Sequence, residues 1–91
     1  MSDEIIKFIA KVKRGYNRRK VLENIDKDVM PSELVKKIYG KFSNTSFNVV
    51  SRALGELREL KLVEIINPKE RTGRMYRLTK KGEIIRREIL K

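Results

Sequence analysis

Asn48 and Arg52 stand one helical turn apart, and their side chains carry the two groups best matched to the edges of nucleobases. A carboxamide can pair bidentately with adenine, and a guanidinium can do the same with guanine. Thr45, Ser46 and Ser51 supply short hydroxyls nearby, suited to base edges or phosphate oxygens. Counting 100° per residue gathers Thr45, Asn48, Ser51, Arg52 and Gly55 in one sector of a helix. Phe47, Val50, Ala53, Leu54 and Leu57 fall in the opposite sector, as a core-facing stripe. The acids Glu56 and Glu59, which would repel phosphate, enter only in the later turns. An ordinary solvated helix face has much the same composition, so the pattern leaves both readings open.

Two more basic groups bear on the same chemistry. Lys69, Arg71 and Arg74 surround Gly73 in a segment that reads as a flexible hairpin tip, where guanidinium groups could enter a narrow minor groove. A solubilising tip would look similar. The densest cluster is Lys11, Lys13, Arg14, Arg18, Arg19 and Lys20, six of ten consecutive positions. Arg14, Arg18 and Arg19 are the expected phosphate contacts, reinforced by free N–H groups at a helix start near Asn17. A solvated helix junction is the alternative.

Composition narrows the field around these groups. The chain has 91 residues, 23 Lys plus Arg against 12 Asp plus Glu, and a formal net charge of +11. Such a domain carries the long-range field that nucleic acid rewards through counterion release, although anionic surfaces in general attract it too. With 40% apolar residues it has enough for one modest core and little room for a roofed substrate cavity. Cys and His are absent, which excludes the usual metal ligands, nucleophiles and bases. Asp26 and Asp28 flank Lys27 in a turn and make no persuasive acid–base pair. The expectation is therefore no enzyme, no cofactor, no metal and no small-molecule substrate. No apolar run approaches a membrane span, and Asp3 and Glu4 stand where a signal peptide would be basic, so a cytoplasmic, nucleoid-associated protein with no membrane partner is expected. The absence of Gln beside abundant Lys, Glu, Arg and Ile suits a high-temperature host.

The elements that must position these groups follow from local punctuation. Ser2 can cap a first helix over residues 1–14, with Asp3 and Glu4 at its positive end and Ile5, Ile6, Phe8, Ile9 and Val12 at helical spacing until Gly15. A second helix is expected over 17–25. A third starts at Pro31 and stops at Gly40, with Leu34, Val35 and Ile38 as its stripe. The fourth starts near Asn44 or Thr45. The period then changes from 3.6 to 2, so that 62–66 and 74–78 read as strands of a hairpin. Thr79 caps a last helix through about Leu90, in which Ile84, Ile85 and Ile89 form an apolar side.

Helices followed by a two-stranded hairpin give an α+β, mostly helical chain in the order of a winged helix-turn-helix domain with terminal helices. The divisions are a single domain over 1–91, with a three-helix core at 17–60, a wing at 62–78 and a C-terminal helix at 79–91. The segments NRRKVLENI (17–25), MPSELVKKI (30–38), SRALGELRELKLVE (51–64) and GRMYRLTKKG (73–82) resemble archaeal and bacterial winged-helix transcriptional regulators of the ArsR and MarR-like group. In that family SRAL-x-x-L ends the recognition helix and YRLTKKG leads from the second wing strand into the last helix. The resemblance implies a sequence-specific regulator of transcription that binds double-stranded DNA, a repressor in the simplest case, and commonly a homodimer. Ile5, Ile6, Ile9, Ile85 and Ile89 on the terminal helices are then the expected dimer interface, unless they only complete the monomer core. The metal-sensing mode of the group needs Cys or His and is unavailable.

Two departures from the family pattern stand out. Lys61 occupies a helix-ending position where many relatives have Gly, so it must adopt a left-handed backbone or end the helix differently. The stretch from Gly40 to Val50 is also longer than the usual turn, so the helix starts earlier or follows a wider loop. The rival expectations are an architectural protein that coats DNA without sequence preference, and a winged-helix module for RNA or a protein partner.

Overall fold

The computed structural model describes residues 3–91 and contains five helices and one two-stranded antiparallel sheet. The expected cap at Ser2 lies outside the described residues. Helix α1 (Asp3–Arg14) has its acids in the first turn and Lys11, Lys13 and Arg14 in the last, matching the helix dipole at both ends. Gly15 ends it, and α2 (Tyr16–Glu23) begins at once. Ile25, expected inside this helix, lies beyond its end yet is fully buried.

Helix α3 (Pro31–Tyr39) starts on proline, where the missing N–H costs nothing, and Glu33 turns back to accept from the Met30 N–H at 2.8 Å. Gly40 stops it at φ +82°. Only a short turn separates it from α4 (Asn44–Glu59), so the stretch from Gly40 to Val50 is taken up by an early helix start and not by a wider loop. The reason is local. Ser43 Oγ accepts from the Ser46 N–H at 3.1 Å, and the Phe42 and Phe47 rings meet at 5.8 Å across the helix start, a hydrophobic staple. Helix α4 ends in a Schellman motif: Leu62 N–H donates to Leu57 O and Lys61 N–H to Arg58 O. Lys61 therefore takes the left-handed conformation, φ +63°, at the position where glycine would be free of strain.

Strands β1 (Val63–Ile65) and β2 (Tyr76–Leu78) pair in the register Val63↔Leu78, Glu64↔Arg77 and Ile65↔Tyr76. They are shorter than the expected 62–66 and 74–78, although the Ile66 N–H still donates to Met75 O at 2.9 Å beyond them. Val29 adds an isolated bridge to Tyr76, with N–H···O distances of 2.9 and 2.8 Å. Helix α5 (Lys80–Ile89) is capped by Thr79, whose hydroxyl accepts from the Gly82 N–H and donates to Lys61 O.

Val21, Leu22, Leu34, Leu54, Leu57 and Ile85 form the centre of one core shared by α2, α3, α4 and α5. Helix α1 closes it by packing on α2 and α5. Lys81 holds this closure, with its ammonium 3.3 Å from the Phe8 ring centroid and 3.2 Å from Glu4. Arg86 fixes the other end by donating twice to the Glu23 carbonyl, at 3.1 and 2.9 Å. Ile85 is fully buried and Ile89 is 7% exposed, which corrects their assignment to a dimer interface. These two side chains are spent inside the monomer. Among the described residues, no helix is long and apolar enough to cross a membrane.

Between α2 and α3, Lys37 pairs with Asp26 at 3.3 Å and donates to Asn24 O at 2.9 Å. Its hydrogen bond and charge hold the Asp26 carboxyl below the usual carboxylate value. A depressed folded-state pKa means that this contribution is complete above the unfolded value and is lost as pH falls through the folded one. The stability difference between the wild type and Asp26→Asn is therefore expected to be largest near neutrality, to begin shrinking only around the ordinary carboxylate value of about pH 4, and to vanish once the pH is below the depressed folded-state value, in acid-unfolding titrations.

Candidate nucleic-acid interface

On α4, Thr45, Asn48 and Arg52 are all exposed, while Val50, Ala53, Leu54 and Leu57 on the opposite side are buried. Ser51 is half-buried. Ser46 differs from its sisters: its hydroxyl accepts from Ser43 Oγ at 2.9 Å and its N–H is bound by the same cap, so its polar groups serve the helix start.

Arg52 and Glu56 are spaced at i,i+4, the geometry in which a helical arginine and glutamate usually pair. Here Glu56 is taken by Arg18 of α2, at 3.5 Å. Among the described residues Arg52 has no ion-pair or hydrogen-bond partner, which leaves its guanidinium available. Arg18 reaches Glu56 by folding over Gly15, where a Cβ would overlap its guanidinium. Its Nε is enclosed with no acceptor among the described residues. Arg18, expected as a phosphate contact, is therefore ion-paired with Glu56 while 27% of its side chain stays exposed. The sequence reading placed Glu56 at a remote end; the fold brings it beside α2.

This pairing walls one side of an open cleft of about 300 Å³ between the α1–α2 junction and α4. Tyr16, Asn17 and Arg18 face Val49 and Arg52 across it. Arg14 is exposed beside the junction, and Arg19 pairs with Glu23 at 2.9 Å while remaining about half exposed. Of the three expected phosphate contacts, Arg14 alone is free of a partner among the described residues.

The hairpin tip is bridged by side-chain hydrogen bonds. Asn67 straddles it, donating from Nδ2 to Gly73 O at 3.1 Å and accepting from the Met75 N–H at 2.6 Å. Arg74 donates from Nε to Glu70 O at 2.9 Å, so its guanidinium is braced against the loop. Lys69 and Arg71 are exposed and, among the described residues, unpaired. At the strand level Arg77 and Glu64 pair across the ladder at 2.7 Å, which keeps the arginine's pKa raised.

Of the residues expected at a dimer contact, Ile6 is 53% exposed and Ile5 and Ile9 are half-buried against the core. Ile84 and Leu90 on α5 are exposed as well. The sequence reading did not single out Tyr39, Lys41 and Phe42 on the α3–α4 turn, all of them exposed. The spacing of Phe42 and Phe47 around Ser43 was the signal that could have found the turn.

Comparison with protein-family models, curated proteins and solved structures finds no match to the chain.

Proposed function

We propose that this protein is a winged helix-turn-helix regulator that binds double-stranded DNA sequence-specifically and represses transcription by occupying promoter DNA. One observation carries the reading: Thr45, Asn48 and Arg52 project from α4, unpaired among the described residues, within a stretch, residues 34–55, that contains no acid. Residue types at this spacing match base edges, and the lack of carboxylates removes repulsion from the flanking phosphates. The order α3, short turn, α4, hairpin, α5 supports it, as does the net charge of +11.

In this mechanism α4 enters the major groove with Asn48 and Arg52 on base edges and Thr45 and Ser51 at the groove wall. Lys69 and Arg71 at the hairpin tip reach the adjacent backbone or minor groove. Arg14 and the N–H groups at the α2 start sit over a phosphate beside the groove. Anisotropy titration of a labelled duplex over a salt series tests the reading. Affinity that falls steeply and linearly with log salt is expected, and absence of duplex binding at low salt contradicts it.

Arg71→Ala is expected to weaken binding to every duplex alike and to reduce the salt slope by about one unit. A change confined to sequence preference would contradict the phosphate role. Arg74→Ala should also loosen the tip, because it removes the brace to Glu70.

A homodimer is part of the proposal, with Ile6, Ile84 and Leu90 as its exposed apolar residues in place of Ile85 and Ile89. It would present two reading heads to a pseudo-palindromic site. Solution mass at micromolar concentration, free and on DNA, tests it; a monomer in both states overturns it.

A further inference from the structure

The α3–α4 turn carries a surface that groove reading does not use. The chain has three Phe, three Tyr and no Trp, and two of these six rings lie exposed on one turn: Tyr39 at 44% and Phe42 at 46%. Phe42 rests on Phe47, with ring centroids 5.8 Å apart and planes inclined by 49°, and Phe47 in turn packs on the core. The staple explains this contact, but an aliphatic side chain would satisfy it equally. It leaves nearly half of an aromatic ring facing solvent on a seated, core-backed support.

The surroundings are cationic. Lys36 and Lys41 are exposed and, among the described residues, without ion-pair or hydrogen-bond partners. The acid-free stretch from 34 to 55 runs through this turn into the outer face of α4. Exposed rings beside free lysines are the combination by which proteins hold unpaired nucleotides: the ring stacks on a base of any type and the ammonium groups hold the flanking phosphates. An apolar protein partner would find no reason for this one-signed rim.

We propose that Phe42, assisted by Tyr39, is a stacking platform for an unpaired nucleobase, so that the preferred ligand is duplex DNA interrupted by an unpaired nucleotide beside the α4 contact. This rests on the DNA-binding reading above. It adds a structural preference to the sequence preference, because stacking tolerates any base while requiring that it be free of its own stack.

The test uses two duplexes alike except that one carries a single bulged 2-aminopurine. Wild-type protein is expected to bind the bulged duplex roughly tenfold tighter than the paired one, and to change the 2-aminopurine emission as the base stacks. Phe42→Leu preserves the staple; its thermal midpoint checks the fold. It is expected to bind the paired duplex as the wild type does and to lose most of the preference. Tyr39→Leu, outside the staple, should lose part of it, and provides the reading should the Phe42 variant fail to fold. Lys41→Ala should weaken both duplexes equally. Equal binding of paired and bulged duplex overturns the stacking site and leaves the regulator reading intact. Failure to bind either overturns both. Self-association that disappears in Phe42→Leu, with no bulge preference in the wild type, would assign the rings to a protein contact and likewise overturn the proposal.

Discussion

Replacing Arg52 by alanine is expected to weaken binding to a preferred duplex by about 1 to 3 kcal/mol and to relax selection at one base pair. The effect should be large because no group among the described residues competes for this guanidinium. Glu56, its natural i,i+4 partner, is held by Arg18 from the neighbouring helix, so Arg52 need not break an ion pair to reach a base. The loss should appear as reduced discrimination. Affinity for scrambled duplex should fall far less than affinity for the preferred site, since a single charge contributes little to either. Competition titrations with site variants would read this directly, and an unchanged preference would remove Arg52 from the base-contacting set.

The second large effect concerns stability. Gly82→Ala is expected to destabilise the protein by about 3 kcal/mol or more, a substantial part of the total for a domain of this size. A Cβ at residue 82 would overlap the backbone carbonyl oxygen of Leu62, which also accepts from the Thr79 N–H at 3.0 Å. Backbone cannot turn aside as a flexible side chain can. Helix α5 would have to lift, drawing Ile85 and Ile89 from the core and straining the Arg86 bonds to Glu23. Gly55→Ala provides the contrast. It lies within α4 with nothing within 4 Å of an added Cβ, so it should stabilise by about 0.5 to 1 kcal/mol through helix propensity. Urea midpoints of the two variants should move in opposite directions; a Gly82→Ala midpoint equal to that of the wild type would contradict the close approach.

Punctuation made most of the fold legible. Gly15, Pro31, Gly40 and Thr79 act within one turn of chain, and each stands at the helix boundary expected of it. Lys61 stood out as a residue that either turns left-handed or ends the helix differently, and the Schellman motif takes the first course. What escaped depends on contacts across the chain. The Val29 bridge is a single residue and has no period to read. Helical spacing revealed apolar sides on both terminal helices, but spacing cannot tell a side that closes its own core, as Ile85 does, from one left open, as Ile6 is. The pairing of Arg18 with Glu56 joins two helices and engages an expected phosphate contact in an ion pair. The Asn67 amide bridges the tip to Gly73 and Met75, contacts that no local pattern announces.

The most direct test of site-specific DNA binding is selection from a random duplex library, followed by salt titration of the best sequence against scrambled duplex and structured RNA. An enriched motif, two-fold symmetric if the dimer forms, bound at least about a thousandfold tighter than scrambled DNA is the expected result. Equal and steeply salt-dependent affinity for all three would contradict it, reduce Asn48 and Arg52 to backbone contacts and make the protein a coating factor.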